Sequence, residues 1–249
     1  MRSLNQLVDY HCHIDLYPDY KQIMRECDTD GVATLAVTTT PLAWERNIEL
    51  ASTTQNVRVA LGLHPQLVAD RAHEISLWNE LLPKARFIGE VGLDASPRFY
   101  RSFEKQKDVF QHILRACSRS GDKILSVHSV RATKIVLDMI EKNLPETRGR
   151  AVLHWFTGTS KELRRAVELG CYFSINAAML TSDKKTKLVA EVPLDRVLTE
   201  TDGPFTQSGN RPSKPSDVSM IVNQLAKLHR IPEAEMISTI TQNLQRLEE

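Results

Sequence analysis

The stretch Leu7-Val8-Asp9-Tyr10-His11-Cys12-His13 decides how the rest of this chain is interpreted. We predict a strand here, because an apolar start is followed by turn-forming residues at Asp15, Pro18 and Asp19. Side chains alternate between the two faces of a strand, so both imidazoles project from one face, roughly 6–7 Å apart. Two imidazoles in this arrangement can bind one metal ion or two neighbouring ions. On its own a His-x-His pair is weak evidence, and its weight depends on the rest of the chain.

The composition is that of an ordinary globular protein. The 249 residues suffice for one large domain or two small ones, and 41% of them are hydrophobic and 25% charged. The 32 basic and 31 acidic side chains leave a net charge of +1, so local groups or bound metal would have to attract a nucleic acid. No apolar run approaches the roughly 20 residues that span a bilayer. The start of the chain lacks the apolar core of a secretory signal, so we expect a cytoplasmic protein without membrane contact.

Short β-branched runs alternate with longer amphipathic stretches from one end of the chain to the other. We predict strands at Leu7–His11, Val32–Thr38, Val57–Leu63, Phe87–Val91, Lys123–His128, Arg150–Trp155, Cys171–Ile175 and Arg196–Glu200. Between them lie helical patterns, of which Arg101–Ser120 is the clearest. This order predicts an α/β fold, a (β/α)₈ barrel of the TIM type, formed by a single domain over residues 1–249. A doubly wound open sheet is the alternative, but the chain lacks a Gly-rich phosphate loop after its first strand.

Six residues of metal-binding type fall at the ends of these predicted strands. They are His11 and His13 on the first strand, Glu90 on the fourth, His128 on the fifth, His154 on the sixth and Asp202 after the eighth. In a parallel barrel the carboxyl ends of all strands open on one face, where active sites are built. Taken singly, each residue has a structural explanation, such as a hydrogen-bonded strand-end histidine or turn chemistry. Together, four imidazoles and two carboxylates match Zn²⁺, Mn²⁺ or Mg²⁺, and we predict a metal site.

His64 and the cysteines allow more than one interpretation. His64 ends a predicted strand and can bind substrate at the same mouth, although the proline after it is equally typical of a loop. The four cysteines are scattered without a Cys-x-x-Cys pair, which indicates neither a disulfide framework nor a thiolate zinc site. We expect Cys12, between the two histidines, to point into the barrel wall.

These segments together resemble the TatD family of metal-dependent deoxyribonucleases. The resemblance runs in order along nearly the whole chain, through His11-Cys12-His13, Leu61–Pro65, Gly89-Glu90-Val91-Gly92-Leu93-Asp94, Val127-His128-Ser129, Leu153-His154-Trp155-Phe156-Thr157-Gly158 and Glu200-Thr201-Asp202-Gly203-Pro204. Shorter stretches resemble QatD, the TatD-like component of the Qat anti-phage defence system: Thr38-Thr39-Thr40-Pro41, Leu61–Gln66 and Gly170–Ser174. The resemblance implies an amidohydrolase-like barrel, DNA as substrate and, for the QatD-like stretches, other Qat-system proteins as partners.

The resemblance also implies a ligand set for two, sometimes three, divalent metal ions. His11, His13, Glu90 and Asp202 would bind one ion, and Glu90 would bridge to a second ion bound by His128 and His154. Glu200 would lie near the ions or orient their ligands. Family members usually carry Arg two residues after the position of His128. This chain has Val130 there and Arg131 next, which puts a phosphate contact in doubt rather than the metal site.

We therefore expect a metal-dependent phosphodiester hydrolase, a 3′→5′ exonuclease acting on single-stranded DNA. A divalent pair lowers the pKa of water and stabilises charge on the phosphate oxygens. Glu90 and Asp202 are the expected catalytic carboxylates, with Asp202 the preferred proton acceptor. His64, Arg131 and Trp155 are candidates for binding the phosphate or stacking on a base. Two alternatives stay open: an ester or amide hydrolase such as an aminoacyl-tRNA deacylase, and a non-catalytic subunit of a defence complex.

Overall fold

Strands and helices alternate along the chain in the computed structural model, which describes residues 5–249. The strands are β1 (Leu7–Cys12), β2 (Val32–Val37), β3 (Val57–Ala60), β4 (Phe87–Gly92), β5 (Lys123–His128), β6 (Gly149–His154), β7 (Tyr172–Ile175) and β8 (Val197–Thr199). The helices are α1 (Tyr20–Thr29), α2 (Trp44–Ala51), α3 (Val68–Arg71), α4 (Ile75–Leu81), α5 (Phe103–Ser120), α6 (Thr133–Asn143), α7 (Ser160–Glu168), α8 (Asp183–Ala190), α9 (Val218–His229) and α10 (Glu233–Glu248). Each strand predicted from the sequence is present. Within residues 5–249 no helix is long and apolar enough to cross a membrane.

The elements differ from their predicted bounds mainly where side chains take over backbone hydrogen bonds. β3 ends at Ala60 rather than Leu63. The N–H groups of Leu61 and Leu63 still donate to carbonyls of β4, but the N–H of Gly62 donates to the Thr38 hydroxyl (2.9 Å) rather than to a backbone carbonyl. The segment 206–216 contains a short antiparallel hairpin, Gln207–Ser208 with Arg211–Pro212, whose turn includes Gly209 at φ +62°. α5 follows its prediction closely and is capped by Gly121, which has φ +75°.

Contacts along the chain divide it into two compact units, each built from separated segments. The first unit contains the described residues up to Ala36, Ile48–Arg58 and Phe173–Glu249, and the second contains Val37–Asn47 and Val59–Tyr172. Each unit therefore combines segments that are far apart in the sequence. The expectation of a single domain over residues 1–249 stays a prediction.

In the first unit, two parallel strand pairs are joined through β1 and β8. β1 pairs with β2 through Val8↔Ala33, and β7 pairs with β8 through Ser174↔Leu198. The Thr199 hydroxyl of β8 donates to the Val8 carbonyl of β1 (2.5 Å). α10 packs against both β1 and β8, and its apolar face is buried at Met236, Ile240, Leu244 and Leu247. The carboxyl ends of β1 and β8 are thereby brought side by side.

In the second unit, β4, β5 and β6 form successive parallel pairs. β4 pairs with β5 through Phe87↔Ile124, and β5 pairs with β6 through Lys123↔Gly149. α5 packs against β4 and β5 and contacts α6, with Phe110, Ile113 and Leu114 almost fully buried. Because all three strands run in the same direction, Glu90, His128 and His154 come together near their carboxyl ends.

Glu90 occupies a point where β4 changes its hydrogen-bond partners. The register between β4 and β5 shifts between Ile88 and Val91, and at this point the backbone of Thr38 forms hydrogen bonds with Gly89 and Glu90. The Thr38 N–H donates to the Gly89 carbonyl (3.1 Å), and the Glu90 N–H donates to the Thr38 carbonyl (3.0 Å). A Cβ on Gly62 would lie only 1.7 Å from the Thr38 carbonyl oxygen, so this close approach requires glycine. The backbone thus fixes the position from which the Glu90 side chain extends.

The left-handed residue that ends α9 gives a test of the fold's energetics. Arg230 is exposed and has φ +56° and ψ +40°, a conformation in which a Cβ costs about 1–2 kcal/mol. We expect Arg230→Gly to raise the free energy of unfolding by about 0.5–1 kcal/mol, since the flexibility of glycine in the unfolded chain offsets part of the gain. Equilibrium urea unfolding measures this.

The matched control is Arg25→Gly, at an exposed position inside α1. Glycine in a helix interior lowers stability by about 1 kcal/mol, so the two substitutions should change stability in opposite directions. Equal losses in both variants would contradict the left-handed cap.

Candidate metal centres

The first unit places two histidines and a carboxylate in one buried group, the His11 cluster, made of His11, His13 and Asp202. The Nε2 atoms of His11 and His13 are 3.3 Å apart. Asp202 Oδ1 lies 3.6 Å from the Nε2 of His13 and 3.8 Å from that of His11. All three residues are at most 5% exposed. His13 lies one residue beyond β1. Its side chain nevertheless lies on the same side as that of His11, as expected from the alternation of side chains along a strand.

Backbone hydrogen bonds hold the two chain segments of the His11 cluster together. The Asp202 N–H donates to the His11 carbonyl (2.9 Å), and the His13 N–H donates to the Gly203 carbonyl (2.8 Å). Asp202 itself has φ +51°, in the left-handed region that Asp and Asn tolerate better than most residues. The ligand positions are therefore set by main chain, and the side chains only have to point inward.

Asp9 connects the same two chain segments through its side chain. It is fully buried, and its Oδ1 accepts hydrogen bonds from the N–H groups of Thr201 (2.8 Å) and His11 (3.4 Å). Its Oδ2 accepts the Thr201 hydroxyl (2.5 Å). Burial raises the pKa of the Asp9 carboxyl well above its usual range, and the hydrogen bonds from Thr201 oppose this only in part. Asp9 thus ties the strand that carries His11 to the residue immediately before Asp202.

Glu200 is fixed by two polar side chains of the β7 segment. It is fully buried, and its carboxylate accepts hydrogen bonds from the Ser174 hydroxyl and from Asn176 Nδ2 (2.9 Å). A carboxylate held in this way has a defined orientation, which suits the supporting role predicted from the sequence.

The second unit holds another group, the Glu90 cluster, made of Glu90 and the histidines His64, His128 and His154. Glu90 Oε1 lies 2.5 Å from His128 Nδ1 and 3.0 Å from His154 Nε2. Glu90 Oε2 lies 3.1 Å from His64 Nε2. Glu90 is 1% exposed and the histidines at most 8%. One carboxylate is therefore surrounded by three imidazoles.

Asp94 supports the Glu90 cluster through His128. Its Oδ2 lies 3.2 Å from His128 Nε2 and accepts a hydrogen bond from Gln66 Nε2 (2.8 Å). Burial alone would raise the pKa of Asp94, but hydrogen bonds from His128, Ser96 and Gln66 outweigh it and hold that pKa well below its usual range. Burial likewise tends to lower the pKa of His128, but the neighbouring Glu90 and Asp94 carboxylates raise it. Asp94 is therefore an ionised partner that orients the imidazole.

Most separations between donor atoms in the two clusters are near those around a divalent ion, and the exception is Glu90 Oε1 to His128 Nδ1, at 2.5 Å. Ligand atoms about 2 Å from a tetrahedral ion lie roughly 3.3 Å from one another. The His11–His13 nitrogens, at 3.3 Å, and the His154–His128 nitrogens, at 3.5 Å, are close to that separation. In each cluster three such atoms lie within 4.8 Å of one another. Imidazole nitrogens with carboxylate oxygens are the ligands of Zn²⁺ and Mn²⁺ sites, although the assignment of individual ligands stays a prediction.

The three predicted substrate-binding residues occupy different settings. His64 lies in the Glu90 cluster. Trp155 directly follows His154, is half-buried and has φ +42°. Arg131 is exposed with φ +52°, and the preceding Val130 is held by its carbonyl, which accepts the Ala95 N–H (2.9 Å). Substrate contact by these residues stays a prediction.

Sequence reasoning passed over Asp9 and Gln66. Asp9 could have been found as a charged residue in the apolar run Leu7-Val8-Asp9, since a carboxylate buried in a strand requires hydrogen-bond partners. Gln66 gives no such signal, because its contact with Asp94 joins residues 28 positions apart.

Comparison with known proteins decides the family of this chain. The family model described as TatD related DNase matches residues 8–249. The chain belongs to the TatD-related DNase family. It is similar to human deoxyribonuclease TATDN3, with 29% identity covering 97% of this chain and 94% of that protein. It is also similar to the uncharacterized metal-dependent hydrolase YabD of Bacillus subtilis, with 27% identity covering 97% of this chain and 98% of YabD.

A solved TatD homologue shows the fold. The crystal structure of YjjV from Escherichia coli K12 matches with a TM-score of 0.87 and 24% identity, covering 98% of both chains. The α/β fold, an amidohydrolase-like (β/α)₈ barrel, is thereby confirmed. Membership of the TatD-related family makes this chain a metal-dependent hydrolase of ester bonds, and the family implies DNA as its substrate.

The threonine that contacts Asp9 gives a test of ligand positioning in this TatD-related chain. Thr201→Val removes the hydroxyl that donates to Asp9 Oδ2. We expect a fall of about 10–100-fold in divalent-metal affinity, because residues that support ligands typically contribute that much. Stability should fall by about 1–2 kcal/mol. Isothermal titration with Mn²⁺ and urea unfolding measure the two effects.

Thr199→Val is the matched control, since Thr199 is also fully buried and its hydroxyl also donates to β1. Its bond goes to the Val8 carbonyl rather than to Asp9. It should cost similar stability while leaving metal affinity unchanged. Equal losses of affinity in both variants would refute the specific role of the Asp9–Thr201 contact.

Proposed function

We propose that this chain is a metal-dependent 3′→5′ exonuclease that acts on single-stranded DNA. The observation that carries the proposal is the pair of buried ligand clusters in a chain of the TatD-related DNase family. Each cluster combines imidazole nitrogens with a carboxylate at strand ends. That donor set serves hydrolysis better than a structural role, since burying so many polar groups costs stability without a ligand to bind.

The proposed ligands are the six residues predicted from the sequence: His11, His13, Glu90, His128, His154 and Asp202. Two divalent ions bound there would supply an activated water and neutralise charge on the phosphate oxygens. Asp202 accepts the proton of the attacking water in this proposal, because its carboxylate extends from a 202–203 backbone that is hydrogen-bonded to His11 and His13. Glu90 is the second catalytic carboxylate in this proposal. Glu200, which accepts hydrogen bonds from Ser174 and Asn176, orients its neighbours.

Substrate binding is proposed for Arg131, Trp155 and His64. The exposed guanidinium of Arg131 would bind a backbone phosphate, and the half-buried indole of Trp155 would stack on a base. Binding at a few local groups agrees with the net charge of +1, which provides no overall attraction for DNA.

The QatD-like stretches extend the proposal to a biological setting. Thr38–Pro41, Leu61–Gln66 and Gly170–Ser174 resemble the TatD-like component of the Qat system, so the nuclease would act in anti-phage defence with other Qat-system proteins. Loss of phage protection in cells that carry an inactive Asp202→Asn chain within the complete system is the expected outcome. Full protection by that variant would refute a catalytic role in defence.

Cleavage of a 5′-labelled single-stranded DNA oligomer tests the activity. With Mg²⁺ or Mn²⁺ restored after chelation, we expect a ladder that shortens from the 3′ end. Glu90→Gln and Asp202→Asn should each lower the rate at least about 100-fold, the usual contribution of a positioned acid or base. The exposed Glu80→Gln and Asp195→Asn are matched controls that should retain the wild-type rate.

The outcomes separate the alternatives. Full activity in Glu90→Gln and Asp202→Asn would show that the roles are misassigned, and release of the labelled 5′ nucleotide would reverse the polarity. Metal binding without DNA cleavage, combined with hydrolysis of an aminoacyl-tRNA, would replace the nuclease by a carbonyl hydrolase. Metal binding with neither activity would indicate a non-catalytic subunit.

The phosphate contact of Arg131 has its own test. Arg131→Asn keeps a residue that tolerates the left-handed conformation but removes the charge. We expect a higher KM with little change in kcat, and a salt dependence of DNA binding whose slope falls by about one. Lys142→Gln, exposed at the opposite end of α6, is the control. An unchanged slope in Arg131→Asn would rule out the contact.

A further inference from the structure

His64 meets the distance requirements of a metal ligand, yet its surroundings assign it a different role. Its Nε2, a Glu90 oxygen and a His128 nitrogen lie within 4.8 Å of one another, the spacing of three ligands around one ion. Distance alone does not show whether a nitrogen has a lone pair for a metal. The group bonded to the other ring nitrogen decides that.

The outer nitrogen of His64 faces a hydrogen-bond donor. His64 precedes the short turn Pro65–Leu67, and its Nδ1 accepts the backbone N–H of Gln66 (3.1 Å). Pro65 has no N–H, so the Gln66 amide is the first donor of that turn. The His64 N–H also donates to the Thr39 carbonyl (2.9 Å), which fixes the backbone from which the ring extends.

A neutral imidazole carries one proton and one lone pair on its two nitrogens. Because the lone pair of His64 is on Nδ1, its proton is on Nε2. That nitrogen lies 3.1 Å from Glu90 Oε2, an ordinary length for an N–H donating to a carboxylate. In this tautomer His64 has a proton, and no lone pair, directed at the cluster.

His128 shows the opposite arrangement in the same cluster. Its outer nitrogen, Nε2, faces an acceptor, the Asp94 carboxylate, at 3.2 Å. With a proton on Nε2, the Nδ1 atom, 2.5 Å from Glu90 Oε1, is the nitrogen whose lone pair a bound ion would use in place of a proton. A histidine that donates its outer N–H to a carboxylate has the usual environment of a metal ligand. Gln66 contributes to both arrangements, since its backbone contacts His64 and its side chain contacts Asp94.

We propose that His64 is a positioning residue, held by the Gln66 amide as the tautomer protonated on Nε2, which donates a hydrogen bond to Glu90 Oε2 and is not a metal ligand. The inference deepens the proposed function and rests on Glu90 as a metal-binding carboxylate; it replaces substrate contact as the role of His64, because both ring nitrogens are then bonded within the protein. By fixing Oε2, His64 sets the rotation of the carboxylate and directs Oε1 to His128 and His154.

Nitrogen NMR of the full-length, metal-free chain labelled with ¹⁵N-histidine tests the tautomer directly. His64 is assigned through its backbone resonances, so the measurement needs no variant. We expect an unprotonated Nδ1 and a protonated Nε2, and the same pattern after Zn²⁺ is added. A protonated Nδ1, or the loss of the Nε2 proton on addition of Zn²⁺, would overturn the proposal.

Metal binding to variants provides a second, independent measurement. In His64→Gln the side-chain amide can still donate to Glu90, and we expect metal affinity and stoichiometry close to wild type. In His64→Leu the donor is lost, and affinity should fall by about 10–100-fold without loss of a bound ion. His128→Gln should lose one ion per chain. Titration calorimetry with Zn²⁺ and elemental analysis supply these values.

Loss of an ion in His64→Gln, as in His128→Gln, would refute the proposal and make His64 a ligand. Equal losses of affinity in His64→Gln and His64→Leu would show that the donated hydrogen bond is not what matters. These readouts do not involve DNA, so they also separate the two proposals. A chain that binds metal as described but cleaves no DNA would remove the nuclease while leaving the role of His64 intact.

Discussion

The buried carboxylate of Asp9 is the group on which the His11 cluster depends. A carboxylate removed from water is costly unless hydrogen bonds replace its hydration. Asp9 receives them from Thr201 and from the backbone of His11, the two chain segments that must meet for His11 and Asp202 to approach each other. The requirement to satisfy one buried group therefore aligns the chemically useful groups. A similar logic operates in the second unit, where Asp94 collects hydrogen bonds and aligns His128.

In both clusters the backbone and the side chains have different roles. The Asp202 N–H bonds to the His11 carbonyl, and the Glu90 N–H bonds to the Thr38 carbonyl. The main chain at each site thus forms the hydrogen bonds of the fold, while the side chains form the clusters. The apolar strand interiors and the helices packed on them supply the stability that offsets a concentration of buried polar groups.

Sequence patterns predicted the strands because their apolar runs are short and bounded by turn residues. They also predicted the six candidate ligands, since parallel strands place their carboxyl ends on one side whatever their exact register. The end of β3 was misplaced, because the Thr38 hydroxyl accepts the Gly62 N–H from a distant part of the sequence. The hairpin at Gln207–Pro212 was missed for a related reason, since its strands are too short to show alternation.

The finer features of the site depend on contacts that no local pattern records. The sequence identifies His64 as a candidate, but its tautomer is set by the Gln66 amide after the chain has turned at Pro65. Asp9 was visible as a charge in an apolar run, yet its partner Thr201 lies 192 positions away. The sequence thus indicates which residues are candidates for the site, whereas the orientation of each ring and carboxylate follows from tertiary packing.

The left-handed conformation of Asp202 has a practical consequence for capturing the enzyme with its substrate. Asparagine has the same shape as aspartate and tolerates the same backbone conformation, whereas a β-branched or larger residue would distort the loop. An amide at this position therefore leaves the backbone contacts of the His11 cluster intact while removing a negative charge. With the role proposed for Asp202, co-crystals of such a chain with an uncleaved oligonucleotide would show the nucleotide in its pre-reaction position.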